Sequence, residues 1–143
     1  MNREVAICRT AQKPFLHYRD EDIRHLIHAC DESSYLVAPG ALSLVFMNED
    51  ELADLHERFL NDPTPTDVIT FDGDPEMGEA GEICVSVERA DREYGKQGLS
   101  FSEELTLYII HGWLHLAGYD DRTTAERKRM RQAEAELMKF LRE

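Results

Sequence analysis

One stretch decides the fold and the chemistry that this sequence predicts: His111-Gly-Trp-Leu-His115-Leu-Ala-Gly118-Tyr-Asp120-Asp121. Histidines four residues apart on a helix lie one turn apart on the same face, so both imidazoles can reach a single ion. Gly118 can take the left-handed conformation that ends a helix, which lets the chain turn back. Asp120 and Asp121 follow that turn, where a carboxylate can complete the coordination. The pattern H-x3-H-x2-G-x2-D therefore predicts a metal site.

Two histidines and a carboxylate leave a fourth position open on a tetrahedral zinc ion, the arrangement that holds an activated water. Structural zinc sites are normally closed and rich in cysteine, whereas the three cysteines of this chain are few and widely spaced. The alternative, that His111 and His115 are ordinary helix residues, is disfavoured by Gly118 and Asp121. A zinc peptidase is disfavoured because Gly112 stands where such enzymes place a catalytic glutamate.

The helix that bears the histidines has almost no polar face. Its apolar residues are Leu105, Leu107, Tyr108, Ile109, Ile110, Trp113, Leu114 and Leu116. This pattern is typical of a fully buried central helix, which we expect to open at Ser102-Glu-Glu. Buried imidazoles need partners to offset their desolvation, and a metal ion provides one.

The composition is that of a globular protein with one core. Of 143 residues, 42% are hydrophobic and 31% are charged, which favours a single domain over residues 1–143. No apolar run approaches the roughly 20 residues of a membrane span. Nothing after Met1 resembles the apolar core of a signal peptide, so we expect a cytoplasmic protein without membrane contact.

The net charge of −13 excludes a broad basic surface that grips nucleic acid by its backbone. Any contact with nucleic acid is therefore local, mediated by a metal, or helped by a partner. One basic cluster follows the metal motif and consists of Arg122, Arg127, Lys128, Arg129 and Arg131. Glutamates at 126, 134 and 136 are interleaved with it, so a solvated helix face with i,i+4 ion pairs explains the cluster at least as well.

The rest of the chain alternates strands and helices. Strand patterns cover Val5–Arg9, Ala41–Met47, Val68–Phe71 and Glu82–Val87. Helices are expected from Asp20, from Asn48 to about Asn61, over Glu88–Gln97, and from Thr123 to about Leu141. This order predicts an α+β fold, with a small mixed β-sheet of about four strands covered by helices and a buried central helix carrying the metal motif.

Two of these helices carry residues that need assignment. In the helix after Asn48, the apolar side is expected to consist of Leu52, Leu55, Phe59 and Leu60. In or near the helix from Asp20 lie His17, His25 and His28, for which the sequence offers no ligand partner, so surface or capping roles are expected.

Three segments in this order resemble the YbeY family of bacterial endoribonucleases and rRNA maturation factors. They are Pro65-Thr-Asp-Val-Ile-Thr-Phe71, Gly81-Glu-Ile-Cys-Val-Ser-Val87 and His111-Gly-Trp-Leu-His-Leu-Ala-Gly-Tyr-Asp120. The resemblance runs from about Leu44 to Asp121, and its last segment is the most specific. It implies a metal-dependent, single-strand-specific endoribonuclease that acts on the small-subunit rRNA precursor, in maturation of the 16S rRNA 3′ end and in ribosome quality control. RNA, the small ribosomal subunit and an assembly GTPase are the implied partners, with no role for DNA.

The resemblance also implies one zinc ion held by three ligands, two of which match His111 and His115. The third family ligand is usually a histidine six residues after the second, where this chain has Asp121. A carboxylate is an acceptable zinc ligand, so we predict Asp121 as the third ligand and Asp120 as an outer or competing one. The carboxylate weakens the ion as a Lewis acid and makes the site more tolerant of harder divalent metals.

The leading hypothesis is phosphodiester cleavage at this ion, which would polarise a phosphoryl oxygen or activate water. Asp120 or Asp67 would assist proton transfer, although Asp67 can instead anchor the loop before its strand. The family pattern has an arginine after an aromatic residue shortly before Pro-Thr-Asp, whereas here Phe59 is followed by Leu60. Arg58 points roughly 200° around the helix from that position. Candidate phosphate contacts are Arg58, Arg89 and Arg122.

A ribosome-assembly factor is the alternative function. In that hypothesis the protein binds rRNA, its metal is structural, and it has little or no catalytic activity. Leu60 and the acidic net charge favour this alternative, whereas the open three-ligand geometry favours the enzyme.

Overall fold

The computed structural model describes residues 3–11, 18–61 and 66–142. Four strands form one mixed sheet in the order β1-β2-β4-β3. Strands β1 and β2 are parallel, as are β2 and β4, whereas β3 runs antiparallel to β4 at the edge. Their bounds are β1 Val5–Arg9, β2 Ala41–Met47, β3 Val68–Asp72 and β4 Glu79–Ser86. The sheet and the helices around it confirm the predicted α+β fold.

Five α-helices occur in the described part of the chain. They are α1 Asp20–Glu32, α2 Glu49–Leu60, α3 Val87–Glu93, α4 Phe101–Leu116 and α5 Thr124–Arg142. Short 3-10 turns cover Pro75–Met77 and Tyr94–Gln97. None of the described helices has both the length and the apolar character needed to cross a membrane. The predicted role of His17 lies outside the described residues, as does Pro65 of the family segment.

Helix α4 is the core of the molecule, as its apolar pattern predicts. Trp113, Ile109, Ile110 and Leu114 are completely buried. The helix packs against β3 and β4 on one side and against α5 on the other. Fully burying each of these side chains stabilises the fold by roughly 1.5–3 kcal/mol, so the position of α4 is strongly fixed.

Gly112 lets α4 approach the sheet closely. A Cβ at this position would lie 2.6 Å from Ile83 Cγ2 and 3.1 Å from Thr70 Oγ1, both shorter than ordinary van der Waals contact. The residue that argues against a peptidase in the sequence therefore has a packing role in the fold. It brings the helix turn between His111 and His115 directly against β3 and β4.

Two helix starts show how capping sets the boundaries. Helix α4 begins at Phe101 because Ser100 is its cap: Ser100 Oγ accepts from the Glu103 N–H at 3.1 Å, and the Glu103 carboxylate accepts from the Ser100 N–H at 2.9 Å. The predicted start at Ser102 is therefore wrong by one position. The predicted cap of α5 is confirmed, since Thr123 Oγ1 accepts from the N–H of Glu126 at 3.0 Å.

The predicted apolar side of α2 is only partly buried. Leu52 is inaccessible to solvent, but Phe59 and Leu60 are 62% and 58% exposed. Phe59 instead packs edge-on against Phe71 of β3, with ring centroids 5.4 Å apart. Strand β3 is at the edge of the sheet, so the end of α2 extends beyond the core, and the predicted apolar side is buried at Leu52 but exposed at Phe59 and Leu60.

Substitution of Gly112 by alanine is expected to destabilise the protein. Overpacking against Ile83 costs about 1–3 kcal/mol, which exceeds the roughly 0.5–1 kcal/mol that alanine gains over glycine in a helix. Urea unfolding followed by circular dichroism measures the difference. Gly95→Ala is the matched control, because a Cβ there has no heavy atom within 4 Å. Equal unfolding midpoints for Gly112→Ala and the wild type contradict this packing account.

Candidate metal centre

Three side chains at the end of α4 converge on one point. His111 Nε2 and His115 Nε2 are 3.1 Å apart. Asp121 Oδ2 lies 3.3 Å from the first nitrogen and 3.6 Å from the second. Ligand atoms about 2.0 Å from a tetrahedral ion are about 3.3 Å from one another, so these three atoms fit one zinc-sized ion. Among the described residues, this is the one group of three or more potential ligands close enough to hold a metal.

The turn after α4 carries Asp121 back to the histidines. Gly118 has a φ of 105°, in the region that favours glycine. Its N–H donates to the carbonyl of His115 at 3.0 Å, and the N–H of Tyr119 donates to the carbonyl of Leu114 at 2.9 Å. These bonds close the last turn of the helix. The chain therefore reverses over three residues, and Asp121 reaches the face from which His115 projects.

Helix α5 supports the centre with two side chains. Glu134 Oε2 is 2.6 Å from His111 Nδ1, so a proton on Nδ1 donates to the carboxylate and Nε2 keeps its lone pair for an ion. Arg127 donates to the backbone carbonyl of Arg122 at 3.0 Å and to that of Asp121 at 3.4 Å. One contact orients the ring of His111, and the other fixes the loop that carries Asp121.

The electrostatic surroundings of His111 are acidic. Burial lowers the pKa of its imidazole, but the hydrogen bond with Glu134 and the negative charges of Glu134, Asp67 and Asp121 outweigh burial, and the pKa is raised above its usual value. The same charges attract a cation, so a metal and a proton compete for this ring. The side chains of His111, His115 and Asp121 keep 23%, 26% and 42% of their exposure, which leaves a side of the centre open to solvent or substrate.

A groove of about 660 Å³ opens over the three candidate ligands, between α2, β3 and the loop after α4. Both candidate proton-transfer residues, Asp67 and Asp120, line it, and so does Arg122. The backbone carbonyl of Asp67 also accepts from the N–H of Ser86 at 2.9 Å, which anchors the start of β3 to the end of β4. The side chain of Asp67 is therefore held beside the ligands by the sheet itself.

The other two candidate phosphate contacts, Arg58 and Arg89, are not brought to this groove. Arg58 is exposed on α2 and does not line the groove, in agreement with its position on a different face from Leu60. Arg89 lies on α3, where its Nε is 3.7 Å from Glu93. Of the three predicted arginines, Arg122 is the one that lines the groove over the ligands.

Two residues of the site had no functional role in the sequence analysis. His56 lines the groove from α2, one helical turn before Leu60. Glu134 lies four residues after the buried Met130 and three before the buried Leu137. A carboxylate on the buried face of a helix needs a polar partner. The helical spacing of Glu134 from Met130 and Leu137 was therefore the sequence signal that this residue contacts another polar group. The sequence contained no comparable signal that α2 borders the same groove.

The chain matches the family model described as "Endoribonuclease YbeY" over residues 9–142. The curated Endoribonuclease YbeY of Mycolicibacterium smegmatis is 38% identical in an alignment that covers 71% of this chain and 65% of that protein. The Endoribonuclease YbeY of Chlamydia abortus is 30% identical in an alignment that covers 97% of this chain and 92% of that protein.

The solution structure of TM1509 from Thermotoga maritima has a similar fold. Its TM-score is 0.63, with 24% sequence identity over 96% of this chain and 88% of that one. At this identity the likeness supports the fold alone. The family assignment depends on the sequence match, which extends from the first strand to the last helix. The chain belongs to the endoribonuclease YbeY family.

Proposed function

We propose that this chain, acting as one domain, is a zinc-dependent endoribonuclease that cuts single-stranded RNA. Its substrate is the small-subunit rRNA precursor, at the 3′ end of 16S rRNA, and it also acts in ribosome quality control in the cytoplasm. The convergence of His111, His115 and Asp121 on one point carries this proposal. The names of its relatives supply the reaction class. The small ribosomal subunit and an assembly GTPase are the proposed partners, in line with the family resemblance.

The donor set fits zinc. Two imidazole nitrogens and one carboxylate oxygen are common zinc ligands, and their spacing matches tetrahedral coordination with one position left open. The carboxylate of Asp121 also suits harder ions such as manganese, so the metal content of the purified protein is decisive. When bound, a divalent ion supplies Lewis acidity to a phosphoryl oxygen or makes a water molecule more acidic.

The side chains around the three ligands have distinct roles in this proposal. Glu134 holds the His111 ring in the tautomer that presents Nε2 to the ion. Asp67 or Asp120, both in the groove, takes a proton from the attacking water or delivers one to the leaving oxygen. Arg122, in the same groove, contacts a phosphate of the substrate.

A ribosome-assembly factor with a structural metal is the second candidate. The observation that favours it is the charge of the groove, which carries Asp67, Asp72, Asp120 and Asp121 against Arg122. Leu60, at the position of the family's arginine, also lines this groove and is 58% exposed. A groove with this charge balance attracts RNA phosphates weakly unless a cation is bound.

Elemental analysis of the purified protein tests the ligand set. About one zinc ion per chain is expected in the wild type and almost none in Asp121→Ala, because two imidazoles alone hold zinc weakly. Asp120→Ala is the matched control and should keep its metal, since Asp121 is the residue whose oxygen lies within reach of both imidazoles. Metal retained in Asp121→Ala and lost in Asp120→Ala would exchange the roles of the two aspartates.

Removal of the Glu134 carboxylate should weaken metal binding without abolishing it. Glu134→Ala is expected to lower zinc affinity about 10- to 100-fold, the usual effect of losing the hydrogen-bond partner of a ligating histidine. Glu134→Gln should lose less, because the amide oxygen still accepts from His111 Nδ1. Competition with a chromogenic chelator measures both affinities. Unchanged affinity in Glu134→Ala means that the ring needs no support from α5.

The double variant His111→Ala/His115→Ala separates the two candidate functions. If the protein is a nuclease, cleavage of single-stranded rRNA fragments should fall at least about 100-fold while the variant remains folded. If the metal is structural, cleavage is negligible in every form and metal removal lowers the melting temperature of the wild type. Full cleavage by the double variant, in preparations free of contaminating nuclease, rules out catalysis at this centre.

A further inference from the structure

The basic cluster after the metal motif is not neutralised by the glutamates interleaved with it. The carboxylate of Glu126 accepts from the backbone N–H of the residue that caps α5, at 2.9 Å. Glu134 contacts His111, and Glu136 accepts from the hydroxyl of Tyr35. Among the described residues, no ion pair joins any of these glutamates to a basic residue of the cluster. The i,i+4 ion pairs that would explain the cluster as a solvated helix face are therefore not formed.

Two members of the cluster, Arg127 and Arg131, line a cavity of about 240 Å³ between α4 and α5. They are exposed and four residues apart, so their side chains project from one face of α5, about 6 Å apart along its axis. Like charges at this spacing repel each other and destabilise a helix. An anion bound by both guanidinium groups offsets that repulsion.

Both guanidinium groups are available to such an anion. Arg131 has no hydrogen bond or ion pair with any residue that the structure describes. Arg127 donates to two backbone carbonyls of the loop after α4 and to the hydroxyl of Thr124, but no described carboxylate forms an ion pair with it. A guanidinium without a carboxylate partner can hold a phosphate group through two parallel hydrogen bonds.

The cavity and the groove meet at the candidate metal centre, because His111 and Asp121 line both of them. The two arginines share the face of α5 on which Glu134 contacts His111, since the three residues are spaced i, i+4 and i+7. Arg122 lines the groove, on the other side of the centre. A strand with one phosphate at the centre therefore has a cation beside it in the groove and two more in the cavity.

Four carboxylates also line the cavity: Asp67, Glu104, Asp121 and Glu134. Two of them, Asp121 and Glu134, already contact the imidazoles of the centre. Glu104 is only 6% exposed on α4 and hydrogen-bonds to Tyr108. Asp67 opposes a phosphate deep in the cavity, although a divalent ion at the centre would offset part of this charge. A phosphate is therefore favoured at the exposed guanidinium groups of α5, away from the wall formed by α4.

We propose that Arg127 and Arg131 hold the RNA phosphate next to the one at the metal centre, on the α5 side of the cavity. Arg131 donates two parallel hydrogen bonds to this phosphate. Arg127 adds a second positive charge while it keeps the loop of Asp121 in place. This inference rests on the proposed function, because that function places an RNA phosphate at the centre.

Binding of a fluorescent oligoadenylate of about eight nucleotides to zinc-loaded protein tests the inference, with anisotropy measured at several salt concentrations. Arg131→Gln should weaken binding about tenfold, the size expected for one hydrogen bond to a charged group. It should also reduce the slope of log affinity against log salt by about 0.7, the value for one phosphate contact on a single strand. Arg131→Lys should keep this slope but lose part of the affinity, because an ammonium group keeps the charge without the two parallel bonds. Gel electrophoresis checks that the probe stays intact.

Arg24→Gln is the matched control. Arg24 is an exposed arginine on α1, beside β1 at the opposite edge of the sheet from β3. Its replacement changes the net charge by the same amount and should leave the affinity and the salt slope unchanged. Arg131→Gln should keep the zinc content of the wild type, since Arg131 is not one of the three candidate ligands.

An affinity and a salt slope equal to those of the wild type in folded Arg131→Gln overturn the inference. An equal loss in Arg24→Gln overturns it in favour of net charge alone, and loss of zinc in Arg131→Gln overturns it in favour of a role in the centre. Hexaglutamate that displaces the probe as effectively as unlabelled RNA overturns it in favour of an acidic protein partner.

The binding assay does not depend on cleavage, so it fails independently of the proposed function. RNA binding that weakens in Arg131→Gln, in a protein that cuts no RNA, supports the role of the arginines and refutes the nuclease. RNA cleavage with the same kcat/KM in Arg131→Gln and the wild type refutes the role of the arginines and leaves the nuclease in place.

Discussion

The contact between α4 and the sheet at Gly112 is the constraint on which the rest of the structure depends. Without a Cβ at this position, the helix backbone can lie against Ile83 and Thr70. This contact buries the apolar faces of α4 and sets the height of the two neighbouring histidines above β3. A larger residue would move the imidazoles as well as destabilise the core, because the same helix turn serves both purposes.

Negative charge dominates the space around the candidate centre. Asp67, Asp120, Asp121 and Glu134 all lie beside the two imidazoles, in a chain whose net charge is already −13. In the proposed function, a divalent cation would offset part of this charge where a substrate phosphate approaches, and would therefore act on binding as well as on reactivity. The acidity of the chain and a polyanionic substrate are compatible if the cation is bound first.

The parts of the structure that sequence predicts well are those set by local spacing. The pair His111 and His115, and the return of Asp121 after Gly118, follow from helix periodicity and a glycine turn. The contact of Glu134 with His111 spans 23 residues and depends on how α5 packs, which no local pattern encodes. The buried carboxylate of Glu104 was similarly hidden within the acidic first turn of α4.

The exposure of Phe59 and Leu60 and the absence of Arg89 from the groove have one physical origin. Helical periodicity gives the relative directions of side chains on one element, but tertiary packing decides what each face meets. At the end of α2 the neighbouring element is the edge strand β3. Phe59 and Leu60 are therefore exposed, although their apolar side chains suggest a position in the core. Helical periodicity indicates that Arg58 lies on a different face from Leu60, whereas no local pattern indicates which part of the structure Arg89 on α3 faces.

Helix α5 reaches the centre through Glu134 and Arg127, so its docking and the occupancy of the centre are thermodynamically linked. A ligand can bind the centre more tightly when α5 is packed against α4 than when α5 is separated from it. Such a ligand stabilises the packed position of α5 by the difference between the two binding free energies. Separation of α5 from α4 is then a local unfolding event whose frequency falls as the ligand concentration rises. The rate at which the amide hydrogens of α5 exchange with solvent would therefore report whether the centre beside Glu134 and Arg127 is occupied.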